Sequence, residues 1–172
     1  MEEKTSLANE VFSAGYDTAE FSFDFIGMDS ETALVCESDL VVKEKITTAL
    51  TDMNYHITEA VSGRDALKNM RFHTYNLIVI GENFDSADAP SGNEVLIYLQ
   101  NLAAATRRNT FVALLSDSYR TMDNMMAFNK SVNLIISRKN IDDVKRIIKQ
   151  SVEDSNAFYN TFSDLLKKMG RI

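Results

Sequence analysis

One proline and six glycines among 172 residues leave no stretch that reads as a flexible linker between domains. A single thiol, Cys36, cannot build a disulfide framework and suits a reducing cytoplasm. No run approaches the roughly 18 consecutive apolar residues of a membrane helix. The acidic start Met1-Glu-Glu-Lys4 lacks the pattern of a secretory signal. There is no long basic run, and the net charge of −7 argues against nucleic acid or an anionic membrane as the main partner. Internal repeats and low-complexity tracts are absent too. What is present is a 45% hydrophobic composition, enough for a real core in one cytoplasmic domain with extensions.

The densest apolar run is Leu77-Ile-Val-Ile80, ending at Gly81. A continuous β-branched run of this kind reads as a strand buried on both faces, as in a parallel sheet covered by helices. Strand and helix patterns alternate around it. Further core strands are expected at Thr32–Cys36, Tyr55–Val61, Thr110–Leu115 and Val132–Ile136. Helices are expected from about Leu40 to Met53, with Val41, Ile46, Ala49 and Leu50 inward, and from Asp65 to Phe72. Others are expected from Gly92 to Ala104 and from Tyr119 to Asn129. A last helix begins near Ile141, with Asn140 as N-cap, and its pattern weakens at Glu153–Asn156. Alternating β and α units predict a doubly wound, flavodoxin-like sheet of five parallel strands in the order 2-1-3-4-5. Residues 1–31 form an N-terminal extension in which Phe21–Ile26 alternates as a strand does. Residues 32–152 form the domain, and residues 153–172 a helical extension.

In such a sheet the site lies at the carboxyl ends of the strands. No glycine-rich phosphate loop follows the first strand, where Glu37-Ser-Asp-Leu40 stands instead. Ser116-Asp117 has no partnering histidine for a hydrolase triad. His56 and His73 have no ligand spacing, and Cys36, inside a core strand, reads as a small hydrophobe. Met122, Met125 and Met126 serve either as core filler or as an adaptable binding surface.

Four segments in order, Ala33–Glu37, Glu59–Leu67, Tyr75–Ile80 and Ser91–Leu96, resemble the receiver domain of bacterial two-component response regulators. The resemblance covers roughly residues 32–152. It implies an Asp that accepts a phosphoryl group, two acids that hold Mg²⁺, a hydroxyl that ends the fourth strand, and a Lys and an aromatic on the fifth. Carried over residue by residue, the nucleophile position falls on Gly81 and the acid pair on Glu37 and Ser38. The hydroxyl falls on Ser116, the Lys on Ser137 beside Arg138 and Lys139, and the aromatic on Leu134. Glu82 follows the nucleophile position but is expected to point the opposite way along the strand. Asp85 and Asp88 are the loop acids able to fold back over the site.

The pattern implies a degenerate receiver with no cofactor, no metal and no catalysis: a signalling adaptor that binds proteins. The expected partner face carries Met122, Met125, Met126 and Leu134. One alternative is a receiver regulated by phosphate, metal or a small ligand in the altered pocket. Another is a self-association module, because Phe158, Phe162, Leu165 and Leu166 lie beyond what the sheet can cover. Those residues either fold back at Asp154–Asn156 onto the aromatic N-terminal segment or pair in a homodimer.

Overall fold

The computed structural model describes residues 30–85 and 93–170. The Phe21–Ile26 segment, Asp88 and Gly92 lie outside the described residues. Five strands form one all-parallel sheet: β1 (Thr32–Cys36), β2 (His56–Glu59), β3 (Leu77–Gly81), β4 (Phe111–Ser116) and β5 (Leu134–Ser137). Their order is β2-β1-β3-β4-β5, the flavodoxin-like arrangement expected. The register sets Ala33 beside Leu77, Leu77 beside Phe111, and Ala113 beside Leu134.

Alternation along the strands divides the core into two layers. Ala33, Val35, Leu77, Val79, Ala113, Leu115 and Ile136 pack toward α1 (Leu40–Thr51) and α6 (Val144–Lys168). Leu34, Ile78, Ile80, Val112, Leu114 and Ile135 pack on the other side, against α2 (Gly63–Phe72), α3 (Glu94–Gln100) and α5 (Asn124–Lys130). A five-residue helix, α4 (Ala104–Arg108), precedes β4. Both faces of β1, β3 and β4 are therefore buried, as their unbroken apolar runs predict.

Several boundaries differ from those the pattern predicts. On α1 the inward residue is Val42, while Val41 is exposed, because the Asp39 cap starts the helix at Leu40 and fixes its phase. The expected helix from Gly92 to Ala104 is two short helices, α3 and α4. The next helix begins at Asn124 rather than Tyr119. Met122 adopts left-handed backbone (φ 60°), which interrupts any helix there, and Asp123 caps the segment that follows. Asn140 caps nothing. It sits in a 3₁₀ segment, Arg138–Asp143, and its side-chain oxygen accepts a hydrogen bond from the Thr121 hydroxyl. Finally, α6 runs unbroken for 25 residues, about 37 Å at the standard rise. Asp154, Ser155 and Asn156 are poor helix formers, yet none is Pro or Gly, and the helix passes through them. The fold-back at that point does not occur.

Candidate functional site

The carboxyl ends of β1, β3, β4 and β5 gather three acids, Glu37, Glu82 and Asp117, with the base Arg138 and the hydroxyls of Ser116 and Ser137. Glu37 follows β1 and is almost wholly buried. Its Oε1 accepts the backbone N–H of Ser38 and of Asp39 at 2.8 and 2.9 Å. Its Oε2 accepts the Arg138 guanidinium at 2.8 Å. Arg138 opens the 3₁₀ segment after β5 and spans two strands to reach it, while its Nε lies 3.5 Å from Asp117. Ser38 itself is exposed, and Asp39 spends its carboxylate capping α1 at Val41 and Val42. Ser137 is buried, and its backbone N–H donates to Thr121 Oγ1 at 3.0 Å. Lys139 is exposed.

Beside this pair, Ser116 Oγ donates to Glu82 Oε2 at 2.5 Å and accepts the N–H groups of Ser118 and Tyr119. Glu82 therefore faces the Ser116 hydroxyl, contrary to the expectation from strand alternation. β3 ends at Gly81, so the period of two stops before Glu82. Asp85 turns away: its Oδ2 accepts the Gly63 N–H that opens α2, at 2.6 Å. Asn93 staples the edge by capping α3 through Oδ1 and donating its amide to the Gly81 carbonyl at 3.0 Å.

Gly81 itself leaves no empty space. A Cβ there would meet Glu37 Oε2 at 2.6 Å and Arg138 Nη2 at 3.2 Å. The ion pair thus occupies the volume into which a side chain at the end of β3 would project. A divalent cation does not fit this donor set, because Glu37 already faces a guanidinium and Glu82 is bonded to the Ser116 hydroxyl, and hard cations need several oxygens. Among the described residues, no group of three or more His, Cys, Asp or Glu is arranged to hold a metal.

No protein-family model matches the sequence, and no curated protein matches it. Solved structures do. The chemotaxis response regulator CheY4 of Vibrio cholerae is 13% identical with a TM-score of 0.56, over 71% of this chain and 98% of that one. A CheY-like receiver domain protein of Methanospirillum hungatei is 14% identical with a TM-score of 0.56, over 74% and 98%. The receiver domain of the sensor histidine kinase PA1611 from Pseudomonas aeruginosa holds a magnesium ion in its active site cleft. It is 15% identical with a TM-score of 0.55, over 72% and 98%.

This chain has the receiver fold. At these identities the likeness establishes architecture alone, so the site must be read from its own residues. The receiver fold places Met122 and Met125 at the surface, whereas Met126 packs partly against the core. Leu134 does not belong to an outer face. It is buried on the inner side of β5 with Val144 and Ile148, because its position in the strand turns it toward α6. Phe128, which the sequence reading passed over, is 83% exposed one turn from Met125. Phe158, Phe162 and Leu165 are exposed along α6, and Leu166 is half-buried.

Cys36 is buried and its thiol is pushed up to about 12, first by burial and then by the charges of Asp65 and Glu37. His73 Nε2 lies 2.9 Å from the Thr32 hydroxyl at the opposite end of the sheet, far from this site.

Proposed function

We propose that this chain is a phosphorylation-independent receiver, a non-catalytic adaptor in a two-component signalling pathway. The observation that carries this reading is the Arg138–Glu37 pair lying against Gly81. Phosphoryl transfer to a receiver needs a carboxylate nucleophile and a metal to offset charge in the transition state. Here β3 ends without a side chain, and the acid left beside it is neutralised from within. The Ser116 hydroxyl, which in the family contacts the phosphoryl group, is bonded to Glu82 instead.

Such a domain acts by presenting a surface to a protein partner. The outer side of α5 is the face we assign, with Met122, Met125 and Phe128 exposed together. Adaptable thioethers beside an aromatic ring suit a protein surface better than a charged polymer.

Incubation with acetyl phosphate and Mg²⁺ should leave the intact mass unchanged. A stoichiometric, hydroxylamine-labile gain of one phosphoryl group overturns the reading. The competing reading, a pocket regulated by a small ligand, requires Arg138 to leave Glu37. Calorimetric titration with Mg²⁺ or inorganic phosphate tests it, and a one-to-one Mg²⁺ site abolished by Glu37→Gln, or a one-to-one phosphate site abolished by Arg138→Met, supports that reading over ours.

A further inference from the structure

The inner stripe of α6 begins in the core at Val144 and Ile148 and continues through Ser151 and Ser155 to Phe158, Phe162, Leu165 and Met169. The steps between these residues alternate four and three without a break. That is a heptad seam, with a period of 3.5 rather than 3.6. On a straight helix a heptad stripe drifts by about 20° per repeat. In its distal half the stripe is exposed, while Val152, Tyr159 and Leu166, on a neighbouring line of the helix that drifts alongside it, are half-buried. Tyr159 lies beside Arg107 and Leu99 in one groove, and the Arg108 guanidinium sits 4.9 Å from the Phe162 ring centre. Phe158, Leu165 and Met169 are left 79%, 53% and 60% exposed.

We propose that this stripe is the seam of an antiparallel helix pair formed with a second copy of the same chain. Three observations select that occupant. The first is charge: Glu153 and Asp154 lie at one end of the exposed segment, and Lys167 and Lys168 at the other. Parallel pairing would set each cluster beside its own copy. Antiparallel pairing about Thr161, midway between Asp154 and Lys168 and at the same heptad position, sets Asp154 opposite Lys168 of the other copy at both ends. The second is fit. In that register Phe158 and Phe162 of the two copies stack at the centre, and Leu165 and Met169 arrive over the other copy's Ser155 and Ser151. Those two serines line a groove of about 430 Å³ of mixed character, with Phe111, Met122 and Leu134 beside Asn124, Asn133 and Gln150, so the large apolar side chains meet small residues with room beside them.

The third is extent. Gly170, in left-handed backbone, ends the helix just after Met169 and so limits the seam. The exposed side chains offer on the order of 400 Å² per copy, below the roughly 800 Å² per partner of a standard interface. The pair is accordingly a reversible one that forms as the protein concentration rises. This inference is independent of how the strand-end pocket is read.

Sedimentation of the full chain should show a concentration-dependent dimer. Leu165→Glu and Phe158→Glu should each weaken it by about tenfold or more while leaving the circular dichroism unchanged. Asp154→Lys and Lys168→Glu should each weaken the dimer, and the double variant should recover it. Spin labels on introduced cysteines then fix the orientation, since Cys36 is buried. Labels at position 161 should lie close together, and labels at 168 should separate by about 21 Å more along the axis. A monomer at high micromolar concentration, a trimer, equal label distances at the two positions, or a dimer insensitive to Leu165→Glu overturns the proposal.

Discussion

The strand-end pocket and the distal half of α6 treat their side chains in opposite ways. At the pocket, polar groups close on one another: Glu37 on Arg138, Glu82 on Ser116, Asn93 on Gly81. Along distal α6, large apolar groups find little to cover them among the described residues. The first region is self-sufficient and changes only when an internal bond is broken. The second leaves apolar side chains exposed among the described residues, and under the helix pair proposed above it responds to protein concentration. Substitutions in the two regions should therefore differ in kind as well as in size.

The largest effect should come from Arg138→Met, which leaves a buried carboxylate facing no cation. Breaking one side of such a pair costs about 3–5 kcal/mol, and urea unfolding should show it. Adding Glu37→Gln should return most of that loss, because the charge that needed a partner is gone. Next comes Asn93→Ala, which removes both the cap of α3 and a buried bond to Gly81. About 1–2 kcal/mol is expected by the same measurement.

Comparable in size is an effect of pH. The Cys36 thiol ionises near 9 when unfolded but stays protonated in the fold until about 12. The unfolded state then binds fewer protons above pH 9, so stability falls as pH rises from 9 toward 12. At pH 10 the contribution is about 1.4 kcal/mol, and Cys36→Ala should flatten that part of the profile. The smallest effect belongs to Leu165→Ala in dilute solution, within about 0.5 kcal/mol of the parent in urea unfolding. If it costs much more, distal α6 is packed within its own chain and the contrast between the two regions collapses.

The sheet was legible because its evidence is local. Leu77–Ile80 announces a doubly buried strand by composition alone, and five strand patterns separated by helical patterns leave few topologies. The pocket was legible only as a set of positions. Arg138 was seen as a neighbour of Ser137, but its reach to Glu37, 101 residues away in sequence, depends on side-chain length and strand order rather than on any motif. Glu82 was assigned to the wrong side because alternation was extended one residue past the end of its strand. Leu134 was placed on an outer face by analogy, although its apolar character already argued for the core. Met122 illustrates a third kind of failure: left-handed backbone at a methionine has no sequence signature, so the helix start was set too early.

The close approach around Gly81 also constrains how this chain can change over generations. An acidic side chain at position 81 would bring its first carbon to 2.6 Å from Glu37 Oε2 and 3.2 Å from Arg138 Nη2, so the ends of both side chains must shift to admit it. Those two ends are bonded to each other, so the shift disturbs the ion pair as well. The effect of a substitution at position 81, 37 or 138 therefore depends on which residues stand at the other two, and the three positions vary as a coupled unit rather than one at a time.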